Sequence, residues 1–330
     1  MGYKFSKEEM DKIFSELAKD YDVYAPVVKK GDGTFSDVDV VRYDLVSNLD
    51  EIEFEKRSDY SFKEALLPIN ETIFYFTEDE TTVPKGPKKE RLIFLRSCDI
   101  HAVKRLDEIY LRNGYEDFYY KRTREMTKFV LMGCENSCNS GFCASMGTNK
   151  TDSYDLYFKI VDDGVLVDVK NEEFKDRFNK GTNIEVKPDF VNENPTKVTL
   201  PKNITKETMQ SELFKEYGSR CINCGRCNFV CPTCTCFTMQ DIFYKDNKNA
   251  GERRRVWASC QVDGFTTIAG GHEFRQDNSD RMRFKVMHKI HDFEKRFGYQ
   301  MCVGCGRCDD VCPEYISYST LINKLSKECE

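Results

Sequence analysis

The sequence predicts two structural halves, an α+β or α/β domain over residues 1–204 and a mainly α-helical domain over residues 205–330. Three observations predict them. Two short apolar runs, 91–95 and 128–132, each end in a turn carrying a cysteine, as strands of an open α/β sheet do at their functional edge. A polar, irregular stretch over 171–204 follows. Beyond it, two helical patterns, 206–217 and 281–297, each lead into a cysteine-rich loop.

In chain order, residues 7–18 read as a helix with Met10, Ile13, Phe14 and Leu17 on one face, opened by a capping box of Ser6 and Glu9. Gly2 and Ser6 also match a myristoylation pattern, but the cap accounts for Ser6 without it. Extended segments are expected at 23–28 and 35–42, and a loop at 81–89, where Pro84, Gly86 and Pro87 cluster. The strand 91–95 runs into Arg96-Ser97-Cys98-Asp99. Asp99 is placed to cap a helix bearing Val103, Leu106, Ile109 and Tyr110, with Gly114 ending it. The strand 128–132 runs into Gly133-Cys134. Residues 155–160 and 165–169, joined by Asp162-Asp163-Gly164, make a β-hairpin. In the second half, Met209, Leu213 and Phe214 mark the inner face of 206–217, with Gly218 as its stop. Met282, Val286, Ile290, Phe293 and Phe297 mark that of 281–297, closed by Gly298.

Charged residues make up 32% of the 330 and the hydrophobic set 40%, as in a water-soluble globular protein. No apolar run approaches a membrane span, so membrane insertion is not expected, and the charged N-terminus is unlike a signal peptide. A net charge of −6 gives no electrostatic case for nucleic acid. Arg253-Arg254-Arg255, the one compact basic run, reads as a solvated or cluster-balancing patch, with docking of an acidic partner as the alternative. Sixteen cysteines without a secretion signal point to metal centres in a reducing cytoplasm.

Eight of those cysteines fall in Cys221-x2-Cys224-x2-Cys227-x3-Cys231-Pro232 and its repeat Cys302-x2-Cys305-x2-Cys308-x3-Cys312-Pro313; eight of twelve positions are identical. This is the run of a bacterial-type ferredoxin, in which three close thiolates take three corners of a [4Fe-4S] cube and the cysteine before proline ligates the other cube. The expected sets are therefore Cys221, Cys224, Cys227 and Cys312 for one cluster, and Cys302, Cys305, Cys308 and Cys231 for the other. Zinc sites use paired CxxC ligands two plus two, and have no use for this three-plus-one repeat.

A further set, Cys98, Cys134, Cys138 and Cys143, gathers at the expected sheet edge and is a candidate for a third [4Fe-4S] cluster. Zinc or free thiols are its alternatives. Cys234, Cys236 and Cys260 are three thiols without a fourth, as metal ligands or as packing, and Cys329 reads as an exposed tail thiol. None of His101, His272, His288 and His291 sits in a ligand pattern. No GxGxxG or P-loop appears, so no nucleotide or flavin site is visible. Two or three one-electron centres in a short chain fit an electron relay, with Gly225 and Gly306 admitting backbone N–H groups to the clusters and Arg226 and Arg307 favouring the reduced state.

Taken together, Leu95-Arg-Ser-Cys98-Asp-Ile-His-Ala102, Gly133-Cys134-Glu-Asn-Ser-Cys138, Cys231-Pro-Thr-Cys234-Thr-Cys236, Trp257-Ala-Ser-Cys260 and the second cysteine run resemble the iron–sulfur subunit of anaerobic sulfite reductase. The motif set is shared with the β-subunit of the sulfhydrogenase/NiFe hydrogenase group. The resemblance spans nearly the whole chain. It implies a cytoplasmic three-subunit complex in which a ferredoxin-reductase-like FAD flavoprotein takes electrons from NADH, a sirohaem subunit reduces sulfite to sulfide, and this chain relays electrons between them. The alternative it leaves is the electron-transfer subunit of a sulfhydrogenase. Of a different class is a stand-alone enzyme with substrate at an open cluster in the first domain.

Overall fold

A computed structural model of the protein describes residues 1–33 and 37–329. In chain order, β1 (Gly2–Phe5), α1 (Lys7–Asp20), β2 (Tyr21–Lys29) and β3 (Val40–Leu45) precede β4 (Asn70–Phe76), β5 (Thr81–Thr82) and β6 (Glu90–Leu95). Next come α2 (Ser97–Leu111), α3 (Phe118–Glu125), β7 (Thr127–Met132), β8 (Leu156–Val161), β9 (Gly164–Val169), the single turn α4 (Lys175–Phe178) and β10 (Thr182–Asn183). The remainder is α5 (Leu213–Arg220), α6 (Arg226–Phe229), β11 (Phe237–Phe243), β12 (Gly251–Trp257), α7 (Asn278–Met287), α8 (Phe293–Phe297), α9 (Arg307–Asp310) and α10 (Tyr318–Glu328).

Eight strands form one mixed sheet in the order β10-β1-β9-β8-β7-β6-β2-β3. The ladders joining β8, β7, β6 and β2 are parallel. Leu92 to Leu95 are all fully buried, as expected of a parallel strand covered on both faces. Alternation assigns their faces: Leu92 and Phe94 meet Met10, Phe14 and Leu17 of α1, whereas Ile93 and Leu95 meet Val103 and Leu106 of α2. The α1 cap is the expected box, with Ser6 N–H donating to the Glu9 carboxylate at 2.9 Å and Glu9 N–H to Ser6 Oγ at 3.3 Å. Gly2 is a strand residue whose Cβ would strike Val186 N.

A second, antiparallel sheet has the order β11-β12-β4-β5, so its strands come from both sides of residue 204. The basic run lies on β12 and is paired there with carboxylates, so its charge is not directed at a cluster as a cluster-balancing patch would require. Arg253 meets Asp241 at 2.6 Å, Arg254 meets Glu252, and Arg255 bridges Glu71 (2.7 Å) and Asp117 (2.6 Å). Carboxylates on the flanking strands β11 and β4, on β12 itself and at the cap of α3 make three adjacent arginines compatible with a strand.

Several local expectations shift. Residues 34–36, at the start of the expected strand 35–42, lie outside the described residues, and the observed strand runs over 40–45. Arg96, with no side-chain cap, precedes α2, and Asp99 is inside the first turn. Gly218 does not stop α5; it lies within the helix because a Cβ there would overlap Ser279 of α7. Helix α5 starts only at Leu213, after a 3-10 turn over Thr208–Gln210. The expected helix 281–297 is continuous but contains a π turn, His288–Asp292, before Gly298 closes it with φ 82°. That turn leaves the Lys289 carbonyl to accept Met301 N–H (2.9 Å) and Cys302 N–H (3.2 Å), which ties the second cysteine run to the helix. No helix is long and apolar enough to cross a membrane among the described residues.

Candidate iron–sulfur centres

Each cysteine run makes the same loop. Gly225 (φ 71°) and Gly306 (φ 76°) take the left-handed conformation at the start of α6 and α9, a conformation that glycine adopts without penalty. Cys221, Cys224, Cys227 and Cys312 line one cavity of about 510 Å³, its open mouth included. Cys231, Cys302, Cys305 and Cys308 line a second, of about 400 Å³. The two cavities share a wall made by Cys227, Cys308, Lys285 and Tyr318. Behind them, Leu213, Phe214, Met282, Val286, Leu321 and Ile322 form the apolar core of α5, α7 and α10.

The surroundings suit anionic iron–thiolate groups. Burial pushes the free Cys302 thiol up to about 12, and burial likewise drives Cys308 well above its usual range, so these thiols lose their protons only when a cation takes their place. Lysine ammonium groups supply positive charge beside them. Lys289 Nζ is 3.6 Å from Cys231 Sγ and donates to Thr233 Oγ1 at 2.7 Å. Lys285 lies against Cys227 and Cys308, and Lys63 donates to the Cys234 carbonyl at 2.9 Å while covering the Trp257 ring. Among the described residues no carboxylate pairs with any of these three buried lysines. A buried charge needs an opposite one, and a cluster held by thiolates provides it.

The first-domain cysteines converge on the ends of two parallel strands. Cys98 is in the first turn of α2 and faces Cys143 and Cys305, while Cys134 follows β7 and neighbours Cys138 and Cys143. Arg96 reaches across, its Nη1 3.5 Å from Cys134 Sγ and 2.9 Å from the Gly133 carbonyl. Asn194 ties the loop together, accepting Ala144 N–H at 2.8 Å and donating to Ser137 Oγ at 2.7 Å. This loop docks on the second cysteine run: Phe142 N–H donates to the Gly304 carbonyl at 2.7 Å, and Cβ atoms on Gly304 or Gly306 would collide with it.

Sequence reasoning missed the charges that lock this junction. Arg307 is 1% exposed and pairs bidentately with Asp99, at 2.7 and 2.9 Å, and donates to the Ser58 carbonyl at 2.9 Å. Arg57 donates to the Cys305 carbonyl and to Asp310. For the buried lysines at the cavities, which sequence reasoning also missed, the available sign was the i,i+4 spacing of Lys285 and Lys289 on the predicted helix beside its apolar stripe.

Of the remaining thiols, only Cys234 touches a ligand of the second cavity, and none of Cys234, Cys236 and Cys260 lines that cavity. Cys234 contacts Cys231, and Cys236 contacts Cys260. Asn228, itself buried, donates to Cys260 Sγ at 3.1 Å and approaches Cys234 Sγ at 3.6 Å. Among the described residues no three His, Cys, Asp or Glu side chains close around a single metal ion. Cys329 is partly buried, with Thr208 Oγ1 at 3.7 Å, where an exposed thiol was expected.

Comparison with known proteins sets these cavities in a family. Residues 220–316 match the 4Fe-4S dicluster domain. The chain is 30% identical to the sulfhydrogenase 2 subunit beta of Pyrococcus furiosus, over 98% of its own length and 97% of that protein's. It is 27% identical to the fumarate reductase iron-sulfur subunit of Haemophilus influenzae, over 36% of the chain and 37% of that subunit. No solved structure matches it. The full-length likeness sides with the hydrogenase branch of the expected resemblance over its sulfite reductase branch. The chain belongs to the family of the sulfhydrogenase 2 subunit beta, as an iron–sulfur subunit whose dicluster domain binds [4Fe-4S] clusters.

Proposed function

We propose that this chain is the electron-transfer subunit of a sulfhydrogenase-type oxidoreductase, working in the cytoplasm with partner subunits that carry the substrate chemistry. The observation that carries the relay is the shared wall: two four-thiol cavities meet at Cys227 and Cys308 with no solvent layer needed between them. Cys221, Cys224, Cys227 and Cys312 would hold one cluster, and Cys231, Cys302, Cys305 and Cys308 the other. Cys98, Cys134, Cys138 and Cys143 would hold a third beside the second run. When bound, such clusters supply one-electron oxidation and reduction at iron. The chain's own part is to hold the thiolates, exclude water with the α5, α7 and α10 core, and place cations beside them.

The sulfite reductase reading differs in its partners, a ferredoxin-reductase-like flavoprotein that binds FAD and NADH, together with a sirohaem protein. Anaerobic affinity purification of the tagged chain separates the two readings. Hydrogenase subunits in the eluate are expected, and co-purifying sirohaem would overturn the proposal. For the third centre, Cys138→Ser should lower iron by one cube, and unchanged iron would remove that centre.

A further inference from the structure

Lys285 is 7% exposed and lines both cavities, whereas Lys289, one helical turn on, lines only the second. Two ammonium groups buried at i,i+4 on one helix face repel each other, and among the described residues neither is neutralised by a carboxylate. The groups facing Lys285 are Cys227 and Cys308, one from each ligand set, together with Cys234 and Cys260 of neither set, and the Tyr318 ring lies 5.6 Å away. Its position is therefore set by the negative charge of the two thiolate sets. Each reduction adds one more negative charge on one side or the other of the same ammonium.

We propose that Lys285 is the shared electrostatic control of the two dicluster centres, raising the midpoint potential of both, while Lys289 acts on the Cys231, Cys302, Cys305 and Cys308 centre alone. The inference rests on the ligand sets proposed above. Those sets are tested by which centre disappears in cysteine variants, a readout distinct from a shift of potential. Lys285 is a positioning residue: it touches the ligand thiols and sets the charge they feel.

The test is an EPR-monitored redox titration of the full chain, purified anaerobically, with iron and acid-labile sulfide assayed on each sample. In K285M both midpoints should fall, by about a tenfold change in the reduced-to-oxidised ratio at fixed potential, which is about 59 mV for a one-electron couple. K285R should return both towards the parent values, and K289M should move one centre only. Fully loaded K285M with unmoved midpoints, or with a single centre moved, overturns the proposal. If K285M and K285Q lose iron, the loaded K285R and K289M decide: parent midpoints in K285R with one centre moved in K289M uphold the proposal, and both centres moved in K289M overturn it. If K285R also loses iron, the lysine is a packing element and the proposal fails.

Discussion

The two cysteine runs share eight of twelve residues and the same glycine-started turn, yet one is open and the other is enclosed. Cys224 and Arg226 are exposed, whereas in the second run Arg307 is 1% exposed and locked to Asp99 of α2. Asn223 holds a left-handed conformation (φ 57°) with its amide reaching Asp263 at 3.0 Å. Its counterpart, Gly304 (φ 65°), leaves no room for a side chain beside Phe142. The repeated residues dictate the loop, and the neighbours decide what reaches it. The first run is the accessible end of the pair, and the second is the end joined to the eight-stranded sheet.

The largest effect should come from exchanging a ligand between the runs. Cys231→Ala should abolish the EPR signal of the enclosed centre and Cys312→Ala that of the open one, each leaving the other. Loss of the near centre instead would break the crossed arrangement. Next is the arginine pair. Arg307→Met strands a buried Asp99 carboxylate and should cost about 3–5 kcal/mol in denaturant unfolding of the anaerobic protein. Arg226→Met should stay within about 0.5 kcal/mol. Equal losses would show that the two settings are energetically alike.

A smaller contrast lies at the preceding turn. Gly304→Ala places a Cβ within 2.6 Å of the Phe142 carbonyl in a left-handed conformation, and should cost about 1–3 kcal/mol. Asn223→Gly should be close to neutral, because glycine accepts that conformation freely. The smallest effect is acid sensitivity at His288, next to Lys289 and close to Cys231. Burial lowers His288 from 6.5 to about 4, so it stays neutral when folded. As pH falls through that window the unfolded chain gains a proton that the folded one refuses, and stability declines. His288→Gln should flatten the slope of unfolding midpoint against pH, and an unchanged slope would rule His288 out.

Where a feature depends on near neighbours in the chain, the sequence was readable. The cysteine spacings, the Ser6–Glu9 box, the two cysteine-ended strands, the Asp162-Asp163 hairpin and Gly298 are all of this kind. Where a distant partner decides, it was not. Asp99 looks like a helix cap until Arg307, 208 residues away, is placed on it. Gly218 looks like a helix stop until Ser279 is brought against it. Strand β12, within the mainly helical second half, is masked by three arginines whose carboxylates sit on β11, on β12 itself, on β4 and at α3's cap. Lys63, Lys285 and Lys289 have the composition of surface, because the charge that buries them is carried by iron–sulfur groups and not by any letter of the sequence.

The pairing of β12 with β4 also bears on how the molecule comes apart. A fragment starting at residue 205 would keep both cysteine runs but expose the unpaired backbone of β12 along Gly251–Phe76 to Val256–Asn70, an edge prone to joining other chains. Protease nicking in the 83–89 loop, by contrast, should leave the two pieces associated, because strands on both sides of the cut remain stitched to the rest.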